Sequence, residues 1–284
     1  MGGVLIGSEA IAAGALTEHQ LRRWYEPLFR DVYVPKWDAS SLDDRILGAW
    51  LWSKRRAAIA GVAASALHGA QWVDADTSIE LVAPSARPQR GLVVRNETLD
   101  ADEVTHVNRL PVTTVARTAF DLGRHLPRRA ALARLDALMR AAPFSSEDLH
   151  LLAKRHRGAR GLQRLSDVLR LIDGGAASPR ETWLRLLFID AGLPKPTTQI
   201  PVYDGCQLVA LLDMGWEDYK VAAEYDGDQH RTDRRQFVKD IGRLAKTQDL
   251  GWHVIRVVNE HRRDEIISRV YQALTRRGYR RDLR

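Results

Sequence analysis

Thiols are nearly missing from this sequence, which holds one cysteine, Cys206. No internal disulfide can form, and no thiolate zinc site can be assembled. Long apolar runs are missing as well; none approaches the roughly 20 residues that span a bilayer. The opening stretch, MGGVLIGSEAIAAGALTEHQ, lacks the basic region of a secretory signal, and Ile6 stands where N-myristoylation prefers Ser or Thr. No internal repeat or low-complexity tract stands out. These absences predict a cytoplasmic chain with no membrane partner. What is present is ordinary for a soluble globular protein: 284 residues, 45% hydrophobic and 28% charged, enough for two domains. Cys206 opens CQLVALLDM and reads as a structural strand residue rather than a nucleophile.

Charge is unevenly spread. Residues 124–170 carry 11 Lys+Arg against 4 Asp+Glu, an excess equal to the +7 of the whole chain. Its densest stretch is KRHRGARGLQRLSDVLR, with Lys154, Arg155, Arg157, Arg160 and Arg164. Such a cluster is the electrostatic footprint of a phosphate-backbone partner, and these five residues are the candidate nucleic-acid contacts. A solvated helix face accounts for the same run about equally well.

Three regions emerge along the chain. In the first, roughly 8–35, Thr17 and Gln20 form a capping-box pattern that starts a helix carrying Leu21, Trp24 and Tyr25. LFRDVYVP alternates like a short strand. Two small helices and a strand resemble a winged helix-turn-helix. In the second region, AAIAGVAASALHGAQW reads as one Ala-rich buried helix, with His68 a core histidine. SIELVAP and GLVVRNE read as strands joined by Arg/Pro-rich turn chemistry. LPVTTVARTAFDLGRHLP enters a helix, and another spans 129–142. DGGAASP, at 173–179, reads as a linker, dividing the chain into 1–176 and 177–284. The third region predicts the order α-β-β-β-α-β-α, its first helix opened by Ser178 and Pro179 and its second, near 232–250, burying Phe237, Ile241 and Leu244.

Within that third region, VAAEYDGDQH ends a buried strand on Glu224, Asp226 and Asp228. Charged side chains are rarely buried unless paired or holding a metal. If Glu217 and Lys220 flank a turn, paired residues of the hairpin sum to 437, and Asp213 faces Glu224 across it. Facing Cβ atoms lie about 4.5–5.5 Å apart, so two carboxylates there call for a cation. A convergence of oxygens suits Mg²⁺, with Mn²⁺ as the alternative. The plain alternative is an acidic strand end in solvent.

The stretches ASPRETWLRLLFIDAGLPKPTTQIPV, LLDMGW, KVAAEYDGDQH and KDIGRLAKTQDLGWHVIRV together resemble the PD-(D/E)XK nuclease superfamily, in the branch related to very-short-patch repair endonucleases. The resemblance spans about 178–258. The front half, including LPVTTVARTAFDL, is similar to regions of antitoxins of the abortive-infection type. The resemblance implies a mixed α+β chain: a C-terminal restriction-endonuclease-like αβββαβ core behind an α+β module that positions DNA. It implies a metal bound by Asp213, Glu224 and Glu181, with Asp226 and His230 at the site's edge and His230 as general base or leaving-group acid. The activity implied is a Mg²⁺-dependent endonuclease of DNA repair or phage defence.

The chain departs from the motif at one position, where Asp226 stands in place of its lysine. Lys220 shares the strand face but lies about 13 Å from Glu224 at strand rise. Arg243 or Lys246, on the next helix, are the substitutes within reach. Glu181 also has a structural explanation, as the third residue of a capping box with Ser178. Asp240 and Arg243, three residues apart on that helix, can form a surface pair. Two other readings stay open: a non-catalytic DNA-binding regulator or antitoxin-like protein on a degenerate nuclease fold, and a protein-interaction module whose basic residues are merely solvated.

Overall fold

The computed structural model describes residues 3–83, 89–227 and 234–280, with the backbone alone over 234–241. The chain divides into two compact units, 1–172 and 173–284. It is a mixed α+β protein with several sheets.

The first unit opens with β1 (Leu5–Ile6), α1 (Gly7–Ala12), α2 (Glu18–Trp24), β2 (Tyr25–Phe29) and β3 (Val32–Pro35), the strands ordered β1-β3-β2. The Thr17 hydroxyl accepts from Gln20 N–H and the Gln20 side chain answers from Thr17 N–H, so both halves of the capping box are made. Tyr25 belongs to a strand rather than to the helix, and LFRDVYVP is part of a hairpin rather than a single strand. Asp31 takes a left-handed conformation (φ 61°) at the bend, and Pro27 lies on the sheet's edge strand, where no donor is needed.

Next come α3 (Leu42–Trp52), β4 (Ala58–Ala60), α4 (Gly61–Leu67), β5 (Ile79–Val82), β6 (Leu92–Arg95), β7 (Val104–Val107) and β8 (Leu110–Thr113). These strands form a mixed sheet ordered β6-β5-β4-β8-β7. The Ala-rich run is therefore a strand followed by a helix, not one helix. Gly61 makes the corner at φ +58°, and a Cβ there would collide with the Glu80 carboxylate. Ala58–Ala60 lies in the middle of the sheet, buried, with Ile59 fully so. His68 is a satisfied histidine, its Nε2 lying 2.8 Å from the Thr113 carbonyl. The Arg/Pro-rich turn expected at 84–88 lies outside the described residues.

The unit closes with α5 (Val115–His125), α6 (Arg128–Ala141), α7 (Ser146–Arg155) and α8 (Leu162–Leu169). Phe120, Leu135, Leu138, Leu149 and Leu165 build the apolar cluster among them. The basic stretch 154–170 thus runs from the end of α7, through a loop, along α8.

The second unit is α9 (Pro179–Asp190), β9 (Thr197–Asp204), β10 (Gln207–Trp216), β11 (Val221–Tyr225), α10 (Arg234–Asp249), β12 (His253–Val257) and α11 (Arg263–Arg276). Its sheet is ordered β12-β11-β10-β9, antiparallel except for the β11–β12 pair. Leu184, Phe188, Met214, Val221, Ile255 and Val270 form its core. The side chains of Phe237 and Ile241 lie outside the described residues. The residues read as a linker begin where the second unit does, and they pack within it: Asp173 Oδ1 accepts from Gly175 N–H and Thr198 O–H at 2.9 Å each, and Ala176 is buried. Cys206 is exposed in the β9–β10 turn, just before the strand that was expected to include it.

Candidate functional site

The hairpin of β10 and β11 pairs Met214 with Ala223, Gly215 with Ala222 and Trp216 with Val221, the register in which Asp213 stands opposite Glu224. A single turn of 3₁₀ helix at Glu217–Tyr219 connects the strands, closed by Lys220 N–H donating to the Glu217 carbonyl, with Lys220 left-handed at φ 47°. The backbone ladder stops at Met214 because the next contact goes through a side chain. Asp213 Oδ2 accepts from the Tyr225 N–H at 2.9 Å. Glu224 is buried and draws a cation from α10: Arg243 Nη1 and Nη2 donate to its two oxygens at 2.9 and 3.4 Å. Such two-point pairing of a guanidinium with a carboxylate is among the stronger charge-assisted contacts.

Glu181 joins from the first turn of α9. Its Oε1 accepts from the Ser178 hydroxyl at 2.9 Å and its Oε2 from Ala177 N–H at 2.8 Å. The pKa of Asp213 is raised to about 7, first by burial and then by the charges of Glu181 and Glu224, against the lowering effects of the Tyr225 N–H and Arg243. Asp213, Glu181, Glu224 and Arg243 are thus one electrostatic group. Asp226 stands at its edge and is claimed by Arg256 of β12, at 2.6 Å. Lys246 is exposed on α10. His230, Asp228 and the side chain of Asp240 lie outside the described residues.

A second charged group lies in the first unit, and sequence reasoning missed it. Helix α5 presents Arg117, Asp121 and Arg124, each at most 3% exposed. Arg117 donates to Asp121 at 3.1 Å, to Glu103 at 2.5 Å and to Glu97 at 3.0 Å. Arg124 donates to Asp121 and to Glu97. Both guanidiniums also lie against the Phe120 ring, 5.7 and 5.0 Å from its centroid. His125 and His156 add contacts to Glu97 and Glu103 at 3.2 and 2.6 Å. Burial works to raise the pKa of Glu97, but hydrogen bonds from His125 and Arg124 outweigh it and bring it to about 2. The available signal was the spacing 117, 121, 124 on one helix face, flanked by Ala119, Phe120 and Leu122.

Two trios here, Glu97–Asp121–His125 and Asp100–Glu103–His156, bring ligand atoms within 4.8 Å of one another. In each trio the carboxylates already accept from guanidinium groups, so a metal cation would have to displace Arg117, Arg124 or Arg155. This is an ion-pair network. Above it opens a cavity of about 610 Å³, whose lining includes Arg117, Arg124, Arg155, Arg157 and Arg160.

The five basic residues of the stretch 154–164 are not equivalent. Lys154, Arg155, Arg157, Arg160 and Arg164 are all exposed. Arg155, however, is surrounded by acids: Asp102 at 2.9 Å, Glu103 at 3.3 Å and Asp100 at 3.5 Å. Its charge is matched within the fold. Among the described residues, Lys154, Arg157, Arg160 and Arg164 form no ion pair. The loop between α7 and α8, which carries Arg157 and Arg160, is held in place from beneath by Arg124, which donates to the Arg160 carbonyl at 3.4 Å. Gly161 follows at φ +85°, where a Cβ would strike the Arg124 carbonyl.

No helix among the described residues is long and apolar enough to cross a membrane. Residues 57–171, from the start of the mixed sheet to the end of α8, match the family model described as the AbiEi antitoxin C-terminal domain. Two proteins of Mycobacterium tuberculosis, "Uncharacterized protein MT2308" of strain CDC 1551 / Oshkosh and "Uncharacterized protein Rv2248" of strain ATCC 25618 / H37Rv, are similar to the chain. Each is 31% identical over 204 residues, which cover 71% of this chain and 74% of theirs. No solved structure matches. The matched family falls on the front half, where the sequence is similar to antitoxins of the abortive-infection type; these comparisons carry no evidence for a nuclease domain.

Proposed function

Because the chain belongs to one family with the two mycobacterial proteins, and its residues 57–171 match an antitoxin domain of the abortive-infection type, we propose that it is a DNA-binding regulator of the antitoxin kind, without catalytic activity. The observation that carries this reading is the exposed set Lys154, Arg157, Arg160 and Arg164, which form no ion pair among the described residues; the pairing of Glu224 with Arg243, the cation that the nuclease reading also brings near this acid, bears only on the metal. In the nuclease reading Glu224 binds the metal, yet here both its oxygens face a guanidinium from the chain itself. Both oxygens of Glu181 are engaged with the start of α9, and one of Asp213 with Tyr225 N–H. The donors converge, but they do not fit a metal ion as they are arranged. DNA contact is assigned to Lys154, Arg157, Arg160 and Arg164, which are unpaired among the described residues, with Arg155 acting in the fold.

A second reading, the Mg²⁺- or Mn²⁺-dependent endonuclease implied by the sequence resemblance, is favoured by one observation. The pKa of Asp213 is raised by two neighbouring carboxylates as well as by burial, and a divalent cation would relieve that repulsion. One experiment separates the two: DNA binding and plasmid cleavage by the full chain in Mg²⁺, Mn²⁺ or EDTA. A regulator binds without any divalent ion, in EDTA as well, loses affinity steeply with salt and leaves the DNA intact. Metal-dependent cutting that disappears in both Asp213→Ala and Glu224→Ala would overturn the regulator reading.

A further inference from the structure

The second unit carries a basic pocket far along the chain from the acidic hairpin residues. It lies between β12, the edge strand of the sheet, and α11, with a volume of about 350 Å³. Its polar lining is His253 from the strand and Arg269, Gln272, Arg276 and Arg277 from the helix and its C-terminal end. Positions 269, 272 and 276 recur at helical spacing, so α11 turns one polar stripe toward the strand. No carboxylate is among the described residues that line the pocket. Glu265, one turn earlier on α11, lies 3.9 Å from Arg269.

The guanidiniums are partly anchored, which fixes where they point. Arg277 Nη1 donates to the Gly251 carbonyl at 2.7 Å and to the Tyr219 carbonyl at 3.4 Å. Arg269 Nη2 donates to the Arg256 carbonyl at 3.4 Å. Arg276 is exposed in the last turn of α11. A single arginine in that turn would be explained by the negative end of the helix dipole. Three guanidiniums and an imidazole around one concavity exceed what the dipole calls for. Their field acts on His253, exposed on the strand, whose pKa is lowered by its partial desolvation against α11 and then by Arg277, Arg276 and Arg269. A concave surface with several N–H forks and no carboxylate is complementary to a tetrahedral oxyanion.

We propose that this pocket binds a phosphate group, and that the phosphate belongs to a nucleic-acid backbone, giving the C-terminal unit its own contact with DNA. The second half of this rests on the DNA-binding reading above. The test uses the full chain, wild type and Arg269→Gln/Arg276→Gln, with Arg276→Gln alone as the variant least able to disturb folding. Two measurements are made: affinity for duplex DNA across a range of salt, and the titration of His253 followed by NMR, alone, with inorganic phosphate and with duplex.

A bound phosphate raises the His253 midpoint, because an anion offsets the three arginines. The same phosphate appears in the salt dependence, whose logarithmic slope falls by about 0.9 for each phosphate that the variants no longer neutralise. A wild type that binds DNA, with slope and affinity unchanged in both variants, overturns the backbone contact while leaving the regulator reading intact. A wild type that does not bind DNA at all ends the regulator reading and the backbone contact together. The His253 titration with inorganic phosphate decides the pocket separately, and no shift there overturns it. A shift with inorganic phosphate but none with saturating duplex identifies a free phosphate ligand and overturns the backbone assignment.

Discussion

Arg243 covers both oxygens of Glu224, and Asp213, opposite Glu224 in the hairpin register, has its pKa raised to about 7. One cation thus offsets part of the charge of three converging carboxylates. Removing it leaves a buried Glu224 without its partner, which costs more than the pair itself contributes. Arg243 is about one-third exposed, so solvent screens part of the loss, and Arg243→Met is expected to lower stability by about 1–3 kcal/mol. The same substitution opens the carboxylates to a metal. Thermal melts in Mg²⁺ and in EDTA are expected to coincide for the wild type and to separate for Arg243→Met, with the Mg²⁺ sample more stable. Separation in the wild type would speak for the metal-dependent reading.

The raised pKa of Asp213 makes its charge a cost to folding. Its folded value, about 7, exceeds the ordinary 3.8. The folded state therefore holds a proton that the unfolded chain releases between those values. Stability from this group is full below about pH 3.8 and is lost as pH rises toward 7. Asp213→Asn keeps an oxygen that accepts from Tyr225 N–H and removes the charge. It is expected to stabilise the protein by on the order of 1–3 kcal/mol at pH 8 and to change little at pH 3.5. Urea titrations of both proteins at the two pH values check this.

How much of this was legible beforehand depended on whether the relevant neighbours were close in sequence. The capping residues Thr17 and Ser178 interact with groups three residues away, and both were readable. The hairpin register was readable because four residues connect its strands and little slack is left. The strand at Ala58–Ala60 was not, since Ala58, Ile59 and Ala60 are all apolar and run straight into an Ala-rich helix with no polar alternation; only its place in the middle of the sheet makes it a strand. Arg243 was named as a cation of the next helix within reach of the acids, and it donates to Glu224, 19 residues back in the chain. The α5 network was least visible. Arg117 and Arg124 sit in a stretch that reads as an ordinary amphipathic helix, and their burial depends on Glu103 and Glu97, 14 and 27 residues away.

Glu97 is the acid whose charge that network needs most. Its folded pKa of about 2 lies below the ordinary 4.5. The stabilisation it provides is present above pH 4.5 and is lost as pH falls toward 2. Glu97→Gln keeps the size of the side chain and removes the charge facing Arg117, Arg124 and His125. With the side chain about a quarter exposed, the expected loss is on the order of 1–3 kcal/mol at pH 7, shrinking as the pH approaches 2. Chemical denaturation at pH 7, 4 and 2.5 measures it. A pH-independent difference would mean that packing, not charge, is what Glu97 supplies.

The basic stretch offers a test within one short segment, from the end of α7 into the loop that follows it. Arg155 and Arg160 are both exposed and both lie at the rim of the same cavity. Arg155 is held by three acids, whereas Arg160 forms no ion pair among the described residues. A phosphate competing for Arg155 must displace carboxylates that are already in place, while Arg160 exchanges only water and counterions. Arg160→Ala is therefore expected to weaken DNA binding and to reduce the logarithmic salt slope by about 0.9, the change that follows when one phosphate goes unneutralised. Arg155→Ala is expected to leave that slope unchanged and to lower the melting temperature slightly by releasing Asp102 and Glu103. Fluorescence anisotropy with a duplex, run over a salt series on both variants, reads the first effect, and a thermal melt reads the second. If Arg155→Ala lowers the slope as much as Arg160→Ala, the acids around Arg155 yield to DNA, and the whole basic stretch acts as one surface.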